Sequence, residues 1–304
     1  MTTPTGIDDS DDGAFDLSLR AFDLPSATVA VVFGAKSHRG LARRVNEDHY
    51  MVISIGRHQQ TLLTSLPDEV AQARFDEYGY AMVVADGMGG SGAGESASHL
   101  AIATLVSLVR YFGKWNLRVD DTIAQDIMAR AERFYRYVHS TVSNERHKDS
   151  TGTNQTTLTA VFSAGTDLFF AHIGHSRAYL LRHGQLMRLT RDHTTGLGPS
   201  GTEPIGPLID VNAAALDLRH ILTNTVGMAG SPMIDLERMQ LDDNDRVLVC
   251  TNGISDNVDA RDIAAVLASE QSPDDQCEAL VDLSVTAKSE DDATAIIAHY
   301  RVTV

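Results

Sequence analysis

The order of apolar segments along the chain is the feature that most limits the folds it can adopt. β-branched runs at 28–33, 49–54 and 79–85 predict three successive strands. Apolar residues at spacings of three and four then predict helices over 96–111 and 121–142. Because the helices follow a group of strands instead of alternating with single strands, the pattern does not favour a regular βαβ sheet.

The second half of the chain repeats this grouping. Strands are predicted at 156–164, 167–174 and 177–190, with His183 and Gly184 at a hairpin turn inside the last of them. A buried strand at 245–251, helices at 260–268 and 274–287, and a closing strand at 293–302 follow. Strands, two helices, strands, two helices and a final strand together indicate an α+β sandwich.

Two segments lack helical or strand periodicity. Residues 1–26 carry Asp8, Asp9, Asp11 and Asp12 among small polar residues, which predicts a flexible acidic tail. The Gly-, Thr- and Pro-rich stretch that opens the region 194–216 predicts a long surface loop. No repeat or linker divides the remainder, so we expect one folded domain over 27–304.

Charge and composition exclude several classes of function. The 304 residues include 25 Lys and Arg against 41 Asp and Glu, a net charge of −16 that opposes binding to nucleic acid. No apolar run reaches the roughly 18 residues of a membrane span, and no signal sequence opens the chain. Only two cysteines are present, which fits a reducing compartment. We therefore expect a cytoplasmic protein, in which phosphate chemistry would need a local cation.

Carboxylates gather at the ends of three predicted strands. Asp86 closes one strand beside Gly87, and Glu47 and Asp48 precede another. Asp291 and Asp292 precede the last strand. Carboxylate and backbone carbonyl oxygens are ligands that hard divalent cations prefer, and buried acids without a cation would repel one another. An Asp-Gly turn and solvated loop acids are the alternative interpretation.

Arg43 and Arg44 supply positive charge directly before these acids. A guanidinium can hold two oxygens of a phosphate at once. The alternative is an ion pair with Glu47 or Asp48.

These motifs are similar to those of the metal-dependent serine/threonine protein phosphatases of the phosphatase 2C (PPM) family. The resemblance rests on six segments in the family's order: RRVNED at 43–48, VVADGMGG at 83–90, TTLTAVF at 156–162, FAHIGHSRAYLLRHGQLMRLTRDHT at 170–194, VLVCTNGISDNV at 247–258 and SEDDATAII at 289–297. Six ordered segments are far more specific than a single motif.

The resemblance implies a central β-sandwich of two antiparallel sheets flanked by helix pairs, with two Mn²⁺ or Mg²⁺ ions at one end. It also implies hydrolysis of phosphoserine and phosphothreonine by metal-activated water, without a covalent enzyme intermediate. By this resemblance Arg43 holds the substrate phosphate and Asp48 supports the site. The implied metal ligands are Glu47, Asp86, the Gly87 carbonyl, Asn252 and Asp291.

Two ligand positions depart from the family pattern. His175 stands where the family has an aspartate in Gly-Asp-Ser-Arg, and Asn252 stands for the aspartate of Thr/Ser-Asp-Gly. Together with Asp256 they match a weaker third metal site. Asn252 keeps one oxygen but no charge, and an imidazole suits Mn²⁺ or Zn²⁺ better than Mg²⁺ or acts as a general acid.

Three interpretations stay open from the sequence. The chain is a phosphatase with weakened or altered metal binding, an inactive relative that binds or regulates phosphoproteins, or a variant in which Asn252 was introduced to trap an inactive state. The expected partner is a phosphorylated protein, with a protein kinase or its target as one source, and neither nucleic acid nor a membrane is expected.

Several residues near the motifs have a simpler explanation than ligand binding. His49, His172 and His193 lie in or beside strands, where a packed, hydrogen-bonded imidazole is the more common role. Cys250 ends an apolar run and is expected to be a small buried hydrophobe.

Overall fold

The structure, a computed structural model, describes residues 28–67, 74–89, 92–113, 119–145, 154–195 and 221–303. The predicted acidic tail, 1–26, lies outside the described residues, and so does most of the predicted loop at 194–216. The strands are β1 Thr28–His38, β2 Asp48–Gln60, β3 Arg74–Met88, β4 Gln155–Thr156, β5 Leu158–Ala164, β6 Asp167–Ile173, β7 Arg177–Arg182, β8 Gln185–Arg188, β9 Asp235–Gln240, β10 Arg246–Cys250 and β11 Ala293–Thr303. The helices are α1 Ala93–Phe112, α2 Asp121–Glu145, α3 Asn252–Ser255, α4 Ala260–Ala268 and α5 Pro273–Thr286.

The strands form two sheets. One has the order β1-β11-β10-β7-β8, and the other has the order β2-β3-β5-β6-β9 with β4 paired to β3. The paired strands are antiparallel. The predicted α+β class and the two-sheet sandwich are therefore confirmed.

Alternation along the strands explains the apolar runs of the sequence. On β11, Ile296 and Ala298 belong to the cluster between the two sheets, whereas Ile297 packs with residues of α4 and α5. On β3, Val84 faces the other sheet and Val83 packs with residues of α1 and α2. Because both faces of each central strand are buried, the strands read as continuous apolar segments.

The two C-terminal helices begin at side-chain caps. The Asp259 carboxylate accepts a hydrogen bond from the backbone N–H of Arg261 at the start of α4. The Ser272 hydroxyl accepts one from Asp275 N–H at the start of α5, and Pro273 occupies the first turn. These caps satisfy N–H groups that a helix start leaves without partners.

The sequence missed one strand. Among the described strands, β9, Asp235–Gln240, lies at the edge of its sheet and pairs with β6. Its residues are mostly half-buried, so the sequence lacks a strong apolar alternation there. The predicted strand at 156–164 is divided into β4 and β5, and β1, β2 and β3 run further than their apolar cores indicate. The predicted turn at His183 and Gly184 is confirmed, with φ of 50° and 76° joining β7 to β8.

None of the helices in the described part of the chain is long and apolar enough to cross a membrane.

Gly34 on β1 gives a stability test of the contact between this strand and α5. A Cβ atom at Gly34 would lie 2.2 Å from the backbone carbon of Pro273 and 2.2 Å from the backbone nitrogen of Asp274. We expect Gly34→Ala to lower the free energy of unfolding by about 3 kcal/mol, because backbone cannot retreat as a flexible side chain can.

Urea unfolding measures this loss, with Gly184→Ala as the matched control. Gly184 has a positive φ of 76° but open space around its Cβ position. Its alanine variant should therefore lose only about 1 kcal/mol of stability, through backbone strain. Equal losses in the two variants would contradict the close contact.

Candidate active site

Two buried carboxylates face each other at one end of the sandwich. Asp48 begins β2 and is directly opposite Asp86 on β3 in the antiparallel register. Both side chains are buried. The register therefore brings together two predicted acid motifs, the one at 47–48 and the one at Asp86, that are well separated in the sequence.

The backbone of Asp86 is fixed by two threonines. Asp86 N–H donates to Thr157 Oγ1 at 3.0 Å, and the Asp86 carbonyl accepts from Thr157 N–H at 2.9 Å and from Thr156 Oγ1 at 2.9 Å. β3 continues through Gly87 to Met88 because these residues pair with β4. Asp86 thus lies inside the strand ladder, with a more restricted backbone than a residue in a terminal turn.

Asp48 connects the two sheets. Its Oδ2 accepts hydrogen bonds from Thr251 Oγ1 at 2.8 Å and from Thr294 Oγ1 at 2.6 Å. Thr251 directly follows β10 and Thr294 lies in β11, and both of these strands belong to the other sheet. Its Oδ1 is buried with no hydrogen-bond partner among the described residues. Burial raises the pKa of Asp48 to about 7 despite the two hydroxyl donors.

The surroundings of Asp86 also disfavour its ionised form. Burial raises its pKa well above the ordinary value, and the nearby charges of Asp48 and Asp291 add to this. A cation near these carboxylates would remove the repulsion, so the end of the sandwich has the electrostatic character of a cation site.

Glu47 and Gly87 are held together by close backbone packing. Gly87 N–H donates to the Glu47 carbonyl at 3.2 Å, and Ser98 Oγ on α1 donates to the same carbonyl at 2.6 Å. A Cβ at Gly87 would lie 2.1 Å from the Gly94 carbonyl oxygen. Only glycine therefore allows α1 to approach β3 at this point.

Asp292 positions the loop that carries Arg43 and Glu47. Its Oδ1 accepts from Gly40 N–H at 2.8 Å, and its Oδ2 accepts from Glu47 N–H at 2.7 Å. Sequence reasoning grouped Asp292 with the acids but assigned it no role, and it did not identify Thr251, Thr294 or Ser98. Nothing in the local sequence marks these three hydroxyl residues, because each one bonds to a residue from a distant segment of the chain.

Arg43 lies between two of the predicted metal ligands. Its guanidinium pairs with Asp291 Oδ1, and its Nη1 lies 3.4 Å from Glu47 Oε2. Asn252 Nδ2 donates to Asp291 Oδ2 at 3.3 Å. Burial lowers the pKa of Arg43, but the hydrogen bond and charge of Asp291 outweigh it and raise the pKa overall.

The predicted third-metal residues are close but differently paired. His175 Nδ1 lies 3.9 Å from Asp86 Oδ2, and this buried nitrogen has no hydrogen-bond partner in the described structure. Burial lowers the pKa of His175. Asp256 instead forms an ion pair with Arg177 Nη2 at 2.9 Å.

The donor chemistry of this end fits hard divalent cations. Asp48, Asp86, Glu47 and Asp291 offer carboxylate oxygens, and the unpartnered Oδ1 of Asp48 lacks a compensating positive charge. Among the described residues, however, no three His, Cys, Asp or Glu side chains converge closely enough to hold an ion as they stand. The oxygen donors are therefore gathered at one end without being closed around one point.

A hydrogen-bonded histidine network supports the turn before His175. His172 Nε2 donates to the carbonyls of Gly174 and Arg191, both at 3.0 Å, so its Nδ1 accepts from Thr159 Oγ1 at 2.8 Å. His193 Nδ1 accepts from Gly174 N–H at 3.2 Å. These two histidines are packed and hydrogen-bonded as predicted.

His49 and Cys250 also have the simpler roles. His49 Nδ1 lies 2.9 Å from Ser98 Oγ. Cys250 is fully buried in the cluster beneath α4 and α5, and burial raises the pKa of its thiol to about 12. A thiol with this pKa is not a nucleophile at neutral pH.

The sequence profile described as Protein phosphatase 2C matches residues 56–283, and the chain belongs to this family. The serine/threonine protein phosphatase PstP of Mycobacterium tuberculosis is 29% identical over 282 residues, which cover 89% of this chain and 45% of PstP. A Streptococcus pyogenes protein described as a putative protein phosphatase 2C-type is 27% identical over 222 residues, covering 72% of this chain and 85% of that protein. The chain thus spans less than half the length of the PstP relative.

Solved structures have the same fold. A structure of the PstP catalytic domain in complex with two manganese ions superposes with a TM-score of 0.65 and 27% identity, covering 90% of this chain and 100% of that one. The serine/threonine phosphatase of S. agalactiae superposes with a TM-score of 0.68 and 22% identity, covering 88% of this chain and 99% of that one. The second likeness supports the fold alone.

The His172 network predicts a pH dependence of stability. Burial lowers the pKa of His172 from 6.5 to about 3 in the folded protein. Below about pH 6.5 the unfolded chain takes up a proton that the folded chain does not, so stability falls as the pH decreases toward 3. The contribution of this residue is about 1 kcal/mol for each pH unit.

We expect His172→Gln to be less stable at pH 7 but to lose stability less steeply between pH 6.5 and 4.5. Urea unfolding over this range measures the slope, and His183→Asn, at the exposed turn, provides a control with the wild-type slope. An unchanged slope in His172→Gln would contradict the assignment of a neutral buried imidazole.

Proposed function

We propose that this chain is a metal-dependent protein serine/threonine phosphatase that hydrolyses phosphoserine and phosphothreonine. The observation that carries the proposal is the buried pair of opposed carboxylates, Asp48 and Asp86, at the meeting point of the two sheets. Two buried acids with raised pKa values and one unpartnered oxygen are costly unless a cation joins them. Membership of the phosphatase 2C family and the manganese-containing relative agree with that function.

The residues that would hold two Mn²⁺ or Mg²⁺ ions are Glu47, Asp86, the Gly87 carbonyl, Asn252 and Asp291. When bound, such ions supply a more acidic water and neutralise the phosphoryl oxygens. Asp48 keeps one oxygen fixed by two hydroxyls, and its other oxygen is buried without a hydrogen-bond partner among the described residues. Asp86 is held by its backbone bonds to Thr156 and Thr157.

Arg43 would bind the substrate phosphate. Its side chain is 36% exposed, so it can reach an incoming phosphoprotein from the open side of the site. A planar guanidinium binds two phosphate oxygens in parallel. It is the positive charge that an acidic chain needs to admit a phosphorylated group.

The weaker third site would consist of His175, Asn252 and Asp256. Asn252 brings no charge, His175 brings an imidazole, and Asp256 is already paired with Arg177. These features favour weakened or altered metal binding, with Mn²⁺ preferred over Mg²⁺.

The same three features favour a second candidate function, an inactive domain that binds phosphoproteins. In that case Arg43 would hold phosphate without hydrolysis. Metal titration distinguishes the two candidates, because a phosphatase requires bound cations and a binding domain does not. In either case the partner is a phosphorylated protein, such as a protein kinase or a kinase's target.

Hydrolysis of a phosphothreonine peptide over Mn²⁺ and Mg²⁺ titrations tests the proposal. We expect wild-type turnover to saturate at a lower concentration of Mn²⁺ than of Mg²⁺, and Asp86→Ala to be inactive because a carboxylate that would hold the metal ions is lost. Absence of turnover in the wild type at saturating Mn²⁺ would contradict the phosphatase proposal.

Asn252→Asp should lower the Mn²⁺ concentration for half-maximal activity by about tenfold, because it restores a charged oxygen ligand. Asn257→Asp is a control that adds the same charge nearby, since Asn257 Nδ2 donates to the Gly253 carbonyl and to Ser289 Oγ and not to the acids of the site. An equal effect of both substitutions would indicate a general charge effect. Activity only in His175→Asp/Asn252→Asp would favour the binding domain.

A further inference from the structure

Both carboxylate oxygens of Asp291, which a cation would bind, already accept hydrogen bonds from neighbouring side chains. Oδ1 of Asp291 pairs with the Arg43 guanidinium, and Oδ2 accepts from Asn252 Nδ2 at 3.3 Å. Glu47 Oε2 lies 3.4 Å from Arg43 Nη1. The positive charge of Arg43 therefore stands where two predicted ligands would face a metal ion, and it would repel that ion at short range.

On the side of Asp48 and Asp86, no side chain of the described structure takes the place of a cation as Arg43 does at Asp291. Asp48 Oδ1 is buried without a hydrogen-bond partner in the described residues, and no lysine or arginine there forms an ion pair with Asp48 or Asp86. His175 Nδ1 lies 3.9 Å from Asp86 Oδ2. The site is therefore unevenly compensated, with its internal cation at Asp291 and Glu47.

We propose that Arg43 is an internal competitor of the metal on the Asp291 side, and that phosphate binding releases it. The inference rests on the proposed function, in which the same guanidinium holds the substrate phosphate. Arg43 uses both terminal nitrogens for these carboxylates, Nη1 for Glu47 and Nη2 for Asp291, so a phosphate held between the same two nitrogens takes their place. Phosphate and the cation at Asp291 both select the conformation in which Arg43 has left the carboxylates, so each strengthens binding of the other.

The geometry indicates a modest barrier to this exchange. Arg43 and Asp291 side chains are 36% and 41% exposed, and exposed ion pairs are weak. The release of Arg43 should therefore change metal affinity by about two- to tenfold. Such a pair is strong enough to disfavour a cation in the absence of phosphate and weak enough for phosphate to break.

Calorimetric titration of Mn²⁺ into the metal-free full chain tests the competition directly. We expect Arg43→Gln to bind Mn²⁺ about two- to tenfold more tightly than the wild type in phosphate-free buffer. Arg44→Gln is the matched control, because it removes the same charge one residue away and its side chain forms no ion pair within the described structure. Equal gains in both variants, or no gain in Arg43→Gln, would overturn the proposal.

A second titration with inorganic phosphate tests the coupling. Phosphate should tighten Mn²⁺ binding in the wild type and in Arg44→Gln, after correction for Mn²⁺–phosphate association measured without protein. Arg43→Gln keeps direct metal–phosphate attraction but has no guanidinium to release, so its phosphate effect should be at least twofold smaller. The same phosphate effect in all three proteins would overturn the coupling.

Both titrations are independent of turnover. If the wild type hydrolyses the phosphopeptide but Arg43→Gln does not bind Mn²⁺ more tightly than the wild type, the phosphatase proposal stands and the competition is refuted. If Arg43→Gln binds Mn²⁺ more tightly but the wild type does not hydrolyse the phosphopeptide, the competition is supported and the phosphatase activity is refuted. If neither wild type nor Arg43→Gln binds Mn²⁺, Arg43 is not what opposes the cation, and the inference is refuted.

Discussion

The buried carboxylate of Asp48 is the interaction on which the site depends. One of its oxygens receives the hydroxyls of Thr251 and Thr294, which lie next to β10 and in β11, while Asp48 itself begins β2 in the other sheet. The bonds therefore fix the relative position of the two sheets at the end where Asp86 lies. Burying this carboxyl group disfavours its ionised form, so bringing the acids together costs free energy unless a cation compensates them.

The remaining polar contacts restrict how far these acids can move. Asp292 holds the backbone before Glu47, Thr157 holds the backbone of Asp86, and Gly87 allows α1 to contact β3. Side chains fixed in this way can gain affinity for a cation because little conformational freedom remains to be lost. Arg43 and Asp291 differ, since both are substantially exposed and joined by a pair that can break. The site thus combines a rigid inner part with an adjustable outer part.

Sequence patterns predicted the central strands, the four longer helices and the α+β sandwich, because burial on both faces leaves long apolar segments. They missed β9, whose edge position leaves its residues half-buried and its pattern weak. The acids at 47–48, 86 and 291 were identifiable because they adjoin strands. Their supporting residues, Thr251, Thr294 and Ser98, were not identifiable, since each acts through a contact between distant segments.

Asn252 has two effects on the site, one that the sequence indicates and one that the structure adds. Compared with aspartate, asparagine loses the charge that would attract a cation. In the structure its amide also donates a hydrogen bond to Asp291, which an aspartate could not do. An aspartate at this position would add a repulsive carboxylate beside Asp291 that only a cation could relieve. Asparagine therefore stabilises the arrangement without metal as well as weakening the arrangement with metal, and both effects act on the same equilibrium in the same direction.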